Sequence, residues 1–307
     1  MAGLPRRRRG VALGLLADRV LGEPLTVLHP VARFGQAMQA VERHLYADRR
    51  SAGAGHAAAG VAMAAVAGAA VRSGAAASYV AVSARALGDA ATAVGEALVV
   101  RDLDRARAGL SALVGRDPSH LDEKEVARAV VESVAENTVD AVVAPVFWAL
   151  LAGPPGVLVH RAVNTMDAMV GHHSARYERY GWACAHLDDL AAWLPARVTA
   201  ALVAACRPRS AGVVWRTVRR DAPAHPSPNS GVAEAAFAAV LGLRLGGENR
   251  YRDRVELRPQ LGDGRPPETT DIHRAVRLSN DVTACLVGAL LVADVPGVLR
   301  RARRRGP

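Results

Sequence analysis

The sequence is poor in aromatic residues and draws nearly all of its positive charge from arginine. Only 4% of its 307 residues are aromatic although 50% are hydrophobic, so Ala, Val and Leu carry the hydrophobicity. The scarcity of strand formers such as Ile, Phe and Tyr favours helices. Lys124 is the single lysine in a chain of net charge +10. Because the planar arginine fork suits phosphate and carboxylate, we expect anionic ligands or an anionic lipid surface as partners.

Further absences exclude whole classes of protein. The three cysteines, Cys184, Cys206 and Cys285, form no CxxC pair, which argues against a zinc site or a disulfide framework and fits a reducing cytoplasm. The sequence has no GxxxxGK[ST], GxGxxG, GxSxG or HExxH motif, so a nucleotide would need another kind of site. No basic stripe is interleaved with aromatics, so nucleic acid is not an expected partner. Without heptads or repeats, the chain is predicted to be one domain, 1–307, with a loop-rich section at 207–278. Within this section, residues 246–270 are rich in Gly, Pro and Arg and are predicted to be a loop.

What the chain does contain is a series of apolar runs. Residues 54–71 form an uncharged run of nearly membrane-spanning length, for which a buried soluble helix is the alternative. Residues 73–100 continue as helix, and 191–206 and 282–299 are further apolar segments. Ser119 or Asp122 is predicted to cap a helix that runs on through Glu132. The arginine-rich stretches that follow the last two are predicted to be cytoplasmic. The N-terminal segment resembles a signal peptide but has a short apolar core, and we expect it to be retained. Three to five membrane crossings are predicted.

One apolar run is broken in its middle. The segment "VVAPVFWALLAGPPGVLVHRAVNTMDAM" carries Pro154 and Pro155 between two glycines, which divides it into halves of about ten residues. Each half is too short to cross a bilayer, so the pattern predicts a re-entrant-like hairpin. Irregular backbone at membrane depth is tolerated only where protein or a cavity covers it, which makes such a hairpin a candidate binding site.

Carboxylates stand immediately before this run. Glu132, Glu136 and Asp140 are spaced four residues apart, so they share one helical face, with Asn137 beside them. Magnesium bound together with a nucleotide would relieve their mutual repulsion, because Mg²⁺ takes one or two carboxylates and leaves its other positions to water and phosphate. A solvated acidic face is the alternative interpretation.

Polar residues also follow the break. Asn164 and Asp167 fall on one helical face. Polar groups that follow an apolar hairpin are functional by default. The alternative is that they mark the end of a helix where it leaves the bilayer. Arg176 lies among tyrosines, which is typical either of a site for a flat ring or phosphate or of an interfacial aromatic belt. Arg219, Arg220 and His225 lie in a proline-rich stretch that is either a phosphate clamp or a rigid surface turn.

These stretches together resemble the cobalamin-biosynthesis family CobD/CbiB, the adenosylcobinamide-phosphate synthases. The similar pieces are "ADRVLGEPLTVLHPVARFG", the series ESVAENT, PVFW, NTMDAMVG, RYERYGW, LDD and PAR, and "RRDAPAHPSPNSGVAEAAFAAVLGLRLGG". The resemblance covers essentially the whole chain and its motifs are highly specific. Departures are few: Glu23 stands where aspartate is common in the family, and Ala141 stands where glycine is common.

The resemblance implies an all-α, polytopic membrane protein with a corrinoid substrate and cytoplasmic loops. It implies an amide-forming ligase that joins adenosylcobyric acid to (R)-1-amino-2-propanol or its O-phosphate, with ATP as the driver, in the cell membrane. A membrane transporter, a corrinoid-binding protein without catalysis and a soluble helical scaffold are the alternatives.

Residue roles are assigned from side-chain chemistry within these motifs. We expect Glu132, Glu136 and Asp140 to hold Mg²⁺ with ATP, assisted by Asn137. Asn164 and Asp167 would orient the amine, and Asp167 would accept its proton. The predicted catalytic residues are therefore Asp167, Asn164 and Glu136. The residues expected to hold phosphates are Arg176, Arg219, Arg220 and His225. We expect these acidic and amide groups to share one cation-dependent pocket that faces the cytoplasm.

Overall fold

The computed structural model describes residues 3–23, 29–115, 117–172, 174–251 and 254–292, and most of them are helical. The helices are α1 (Gly3–Leu21), α2 (Pro30–Leu45), α3 (Arg50–Ala70), α4 (Gly74–Ala81), α5 (Ala84–Val99), α6 (Leu103–Leu110), α7 (Glu123–Thr138), α8 (Ala144–Met166), α9 (Trp182–Cys206), α10 (Ala211–Asp221), α11 (Ser230–Leu241) and α12 (Thr269–Val292). The π-helical turns Val139–Val143 and Asp167–Gly171 flank α8, and short 3-10 turns occupy Pro208–Ser210 and Ala222–Ala224.

Four helical stretches in the described ranges are long and apolar enough to cross a membrane: Arg50–Ala70, Glu123–Gly171, Trp182–Cys206 and Thr269–Val292. Four lies within the predicted range of three to five, and the prediction of an all-α polytopic membrane protein is confirmed. The basic tail at 300–307, predicted to be cytoplasmic, lies outside the described residues.

The chain forms two compact units that are each discontinuous in sequence. The described parts of the first unit lie within 3–83, 144–192 and 286–292, and the second contains 84–143 and 193–285. The assignment of the chain to one domain stays a prediction.

In the first unit, α3 packs closely on α8 through small residues. The buried positions of α3 are Gly53, His56, Ala57, Gly60, Ala64 and Gly68, which repeat at helical spacing. A Cβ at Gly60 would lie 2.3 Å from the Met166 sulfur, and one at Gly68 would lie 2.4 Å from the Pro155 Cα. Such small-residue faces let helix backbones approach in membranes, where packing rather than hydrophobicity drives association.

The predicted break in α8 is a sharp bend. Gly153 has φ 67° and ψ −152°, a conformation that favours glycine. A Cβ at Gly156 would lie 2.5 Å from the Trp148 carbonyl oxygen. In a straight helix two residues eight apart are separated by about 12 Å, so the chain folds back at Gly153 into two helical arms.

An arginine from α1 satisfies the carbonyls that the bend exposes. In a regular helix the N–H groups of residues 154 and 155 would bond to the carbonyls of Leu150 and Leu151, but both residues are proline. Arg7 donates from Nη1 to the Leu151 oxygen at 2.8 Å and to the Leu150 oxygen at 3.4 Å. The guanidinium therefore replaces the two missing donors.

In the second unit, α7 and α11 form the core. Every residue of α11 from Ser230 to Ala238 is buried, and ten residues of α7 are buried as well. Asp122 begins α7 with a capping box: its side chain accepts from the Glu125 N–H, and the Glu125 side chain accepts from the Asp122 N–H. This confirms one of two predicted caps, Ser119 or Asp122.

The prediction that 246–270 is a loop is wrong for its first part. Strands β1 (Leu245–Tyr251) and β2 (Arg254–Leu261) pair antiparallel, with an irregularity between Leu245 and Gly247. Gly246 and Gly247 have φ of 85° and 105°, so glycines that suggested a loop instead form the bulge. The section 207–278 also contains α10, α11 and the start of α12.

Candidate functional site

Two of the predicted acids on α7 are fixed by donors from distant parts of the second unit. Glu132 accepts a hydrogen bond from the Gly246 N–H, with N and Oε1 2.9 Å apart. Glu136 accepts one from the Ser230 hydroxyl at the start of α11. A carboxylate offers about four acceptor sites, so each bond orients its group and leaves capacity for another ligand.

Further polar groups surround these acids, and we call the set the α7–α11 polar cluster. Its members are Glu132, Glu136, His225, Asn229, Ser230, Glu234 and Arg258. Glu132 and Glu234 are 8% and 6% exposed. Glu234 Oε1 lies 3.8 Å from His225 Nε2, and Arg197 Nη1 donates to Asn229 Oδ1 at 3.1 Å. The predicted residues Glu132, Glu136 and His225 are thus brought into one electrostatic environment.

Both ring nitrogens of His225 have polar partners. Nε2 lies 3.4 Å from Arg258 Nη1. Nδ1 lies 3.1 Å from both the carbonyl oxygen and the backbone nitrogen of Ser227, so the loop after α10 holds the ring in place.

The surroundings of His225 favour its neutral form. Burial lowers the pKa of the imidazole below its ordinary value, and Arg258 lowers it further. The bond to Ser227 and the charges of Glu136 and Glu132 oppose this shift.

The structure does not assemble a complete metal site from protein groups. In the described parts of the chain, no three His, Cys, Asp or Glu side chains are placed to hold a metal ion. The donor set of Glu132 and Glu136 fits Mg²⁺ only if phosphate and water oxygens supply the remaining positions. Asp140 lies half-buried in the first π-helical turn, and the amide of Asn137 donates to the Ser133 carbonyl at 2.9 Å. Their metal and nucleotide roles stay predictions.

Each π-helical turn carries one predicted acid. Asp140 is in Val139–Val143, and Asp167 begins Asp167–Gly171. The Asp167 carboxylate lies over Gly171, where an added Cβ would be 1.8 Å from Oδ1. π-Helical turns are rare in proteins as a whole, and those that occur are often found at functional sites. Both interruptions therefore favour functional roles for these acids.

A second group of polar side chains lies in the first unit, and we call it the α8–α9 polar cluster. Its members are Ser83, Arg161, Asn164 and Asp188. The Asn164 amide donates to Asp188 Oδ1 at 3.4 Å. Arg161 donates to Asn164 Oδ1 at 3.4 Å and to the Ser83 hydroxyl oxygen at 3.5 Å. The predicted residue Asn164 is therefore part of a network.

Asp167 and His29 adjoin this network. Asp167 and Asp188 both interact electrostatically with Cys184, which places them in one neighbourhood. His29 caps α2 by accepting from the Val31 N–H at 3.2 Å. Burial lowers the pKa of the His29 imidazole, the charge of Glu23 raises it, and Arg161 lowers it.

Arg176 lies elsewhere in the first unit, where it already has partners. It pairs with Glu42 at 3.0 Å and its guanidinium lies 4.1 Å from the centre of the Tyr46 ring. Tyr177 donates to the same Glu42 carboxylate at 2.9 Å. Arg176 is thus a member of an arginine–aromatic cluster, as the residue pattern indicated, and its phosphate role stays a prediction.

Arg219 and Arg220 lie on α10 in the second unit. Arg220 binds Asp221 in a fork, with contacts of 2.5 Å and 2.9 Å, and reaches Asp263 at 2.8 Å. The bonds from Arg220 and from the Gly262 N–H lower the pKa of the Asp221 carboxyl against an opposing effect of burial. Arg219 is exposed. The two arginines are not equivalent, and their phosphate role stays a prediction.

Glu136 belongs to the second unit, whereas Asn164 and Asp167 belong to the first. That all three share one pocket therefore stays a prediction. Sequence reasoning missed Glu234, Arg258, Ser83 and Arg161. Arg161 could have been found, because it precedes Asn164 by three residues on an apolar helix, where charged groups are rare and functional. Glu234 could have been found as the one acid of alanine-rich α11.

The apolar helices and the bent hairpin define a polytopic helical membrane protein. The model of the family described as "CobD/Cbib protein" matches residues 11–279. The chain therefore belongs to the CobD/CbiB family. It is similar to "Cobalamin biosynthesis protein CobD" of Mycobacterium tuberculosis (strain ATCC 25618 / H37Rv), with 45% identity over 300 residues, which are 94% of this chain and 95% of the relative.

Relatives from other bacteria carry the same name. The protein of Chromobacterium violaceum is 42% identical over 285 residues, covering 87% of this chain and 90% of the relative. That of Geobacter metallireducens is 39% identical over 309 residues, covering 94% and 96%. No solved structure matches the chain.

Proposed function

We propose that the protein is an ATP-driven ligase that joins the carboxylate of adenosylcobyric acid to the amine of (R)-1-amino-2-propanol or its O-phosphate. The family and the names of its relatives support a role in cobalamin biosynthesis and hence a corrinoid substrate. The four candidate membrane spans support a location in the cell membrane. Because ATP is cytoplasmic, the active site faces the cytoplasm.

The reaction needs activation, since a carboxylate does not condense with an amine at neutral pH. In the proposed route a substrate carboxylate oxygen attacks the γ-phosphorus of ATP and releases ADP. The amine nitrogen then attacks the resulting acyl carbon, phosphate leaves, and a base takes the amine proton. Mg²⁺ supplies charge neutralisation to the phosphates when it is bound.

The α7–α11 polar cluster supports the nucleotide half of this proposal. Glu132 and Glu136 would hold the cation together with Asp140, and the N–H of Gly246 and the hydroxyl of Ser230 keep the two glutamates oriented. His225 lies beside them as a neutral imidazole, which suits hydrogen bonding to a phosphate oxygen.

The α8–α9 polar cluster supports the amine half. Asn164 would orient the nitrogen, and Asp167 would take its proton. The bond between the Asn164 amide and Asp188 adds a second carboxylate that can receive an ammonium group. This contact carries the proposal, because it joins Asn164 of the hairpin to a carboxylate of α9, and polar side chains in apolar membrane helices are functional by default.

The test uses the full chain purified in detergent, with adenosylcobyric acid, ATP, Mg²⁺ and either amine. Products are read by mass spectrometry and ADP is measured in parallel. Glu136→Gln is expected to lower the rate of amide formation at least a hundredfold, because it removes one charge from the cation site. Glu96→Gln, which changes an exposed glutamate of α5, is the matched control and should keep the wild-type rate.

Three results would contradict parts of the proposal. Full amide-forming activity in Glu136→Gln would contradict the cation role of Glu136. Corrinoid uptake into vesicles, with no ADP and no amide formed, would favour the transporter. Corrinoid binding without either would favour a binding protein without catalysis.

A further inference from the structure

A basic groove lies on the outer face of α10, apart from both polar clusters. Its volume is about 510 Å³. Val214 and Thr217 are the buried residues of this helix, and Thr217 lies at the base of the groove. The residues that line the groove are Val213, Arg216, Thr217, Arg219, Arg220 and Asp263. The lining carries three arginines and one carboxylate.

The three arginines differ in what holds them. Arg220 is fixed between Asp221 and Asp263, so two carboxylates already offset its charge. Arg216 and Arg219 are exposed and make no ion pair with any described side chain. Positions three apart on a helix are neighbours, and like charges there repel by a few tenths of a kcal/mol. An anion between these two guanidinium groups would remove that repulsion.

One wall of the groove is formed by the turn after β2, which carries Asp263 and is hydrogen-bonded to the end of α10. Asp221 accepts from the Gly262 N–H at 2.8 Å, which joins the end of α10 to the turn after β2. The Arg220 bond to Asp263 adds a second link between the same two segments. These two bonds join the end of α10 to the segment that carries Asp263 in the absence of any ligand.

We propose that this groove binds a phosphate group through Arg216 and Arg219. Guanidinium groups bind phosphate oxygens through paired, charge-assisted hydrogen bonds. This inference does not rest on amide formation, and it separates Arg219, which binds the ligand, from Arg220, which braces the wall.

The phosphate has two chemical sources. One is an anionic lipid headgroup, since the candidate span Trp182–Cys206 ends five residues before α10, and Trp215 is 38% exposed beside the arginines. Tryptophan and clustered arginine at the end of a span are typical of the headgroup layer. The other source is a soluble phosphate compound.

The experiment measures binding by the full chain in detergent, without corrinoid or ATP. Phosphatidylglycerol and phosphatidylcholine are titrated in one arm, and bound lipids are counted by native mass spectrometry. Inorganic phosphate is titrated in the other arm, and thermal stability is the readout. Arg216→Gln with Arg219→Gln is expected to weaken binding about tenfold. Arg43→Gln with Arg105→Gln removes the same charge from exposed sites and should bind as the wild type does.

Each result decides the proposal. A loss confined to phosphatidylglycerol supports the groove with a lipid source, and a loss confined to inorganic phosphate supports it with a soluble source. The proposal is overturned if the double variant binds both ligands like the control variant. Arg220→Gln adds a further check, because it should loosen the groove and lower thermal stability even without ligand.

Discussion

At the scale of single residues, the most informative side chains are those that compensate for a backbone interruption. Arg7 donates to the carbonyls of Leu150 and Leu151, whose ordinary partners are prolines. Asp167 lies over Gly171 in a π-helical turn. In both places the backbone is not a regular α-helix, and one side chain lies against the irregular segment.

Replacing Arg7 by alanine should destabilise the protein. The change leaves two carbonyl oxygens without donors in an apolar region, and a hydrogen bond to a charged group contributes about 1.5–3 kcal/mol. We expect the free energy of unfolding in detergent to fall by about 2 kcal/mol. Arg6→Ala is the control, because Arg6 is the neighbouring exposed arginine of the same helix and does not donate to these two carbonyls. Equal effects of the two changes would mean that Arg7 does not support the bend.

His225 should make stability depend on pH. Its folded pKa is lowered mainly by burial, so below the ordinary histidine value of about 6.5 the unfolded chain binds more protons than the folded one. Stability is therefore expected to fall as pH drops below about 6.5, and to level off below the folded pKa.

The check is urea unfolding at several pH values. His225→Asn should flatten the pH dependence, whereas His120→Asn, at an exposed position, should leave it as in the wild type. An unchanged slope in His225→Asn would exclude a buried neutral imidazole at this position.

At the scale of elements, the contact of α3 with α8 depends on the absence of side chains. The two close positions differ in what they face. Gly60 meets the flexible end of Met166, and Gly68 meets the backbone of Pro154 and Pro155 at 2.4–3.0 Å. Gly55 has nothing within 4 Å of an added Cβ.

Three alanine substitutions in α3 should therefore rank in order. Gly55→Ala should raise the free energy of unfolding by about 0.5–1 kcal/mol, because alanine favours a helix over glycine. Gly60→Ala should cost little, since Met166 can change rotamer, and Gly68→Ala should cost about 1–3 kcal/mol through overpacking. Thermal unfolding in detergent measures all three. If Gly68→Ala matched Gly55→Ala, the close approach of α3 to the hairpin would be wrong.

The elements that sequence alone predicted are those with local signals. The apolar run of α3, the cap at Asp122 and the break at Pro154 and Pro155 each arise from neighbouring residues, and the structure contains all three. The hairpin of β1 and β2 was missed, because glycine and arginine carry no strand preference and the pairing depends on a bulge. In this hairpin, the pairing of the two strands outweighs the weak strand preference of their residues.

At the scale of the whole molecule, the sequence predicted the class of protein and named some members of each polar cluster. The apolar runs were enough to predict a helical membrane protein. The partners of the predicted site residues were harder to find: Ser230 lies 94 positions from Glu136, and Gly246 lies 114 from Glu132. Only the fold brings such residues together, so side-chain chemistry identified the acids and could not identify the groups that orient them.

The bend at Gly153 also bears on how the chain is made. Arg7 leaves the ribosome more than a hundred residues before Pro154 and Pro155. When the hairpin emerges, the donor that its open carbonyls require has already been synthesised. Biogenesis can therefore proceed from the N-terminus without leaving these carbonyls unmatched in lipid, whereas a circularly permuted chain that began at α3 would present the hairpin first.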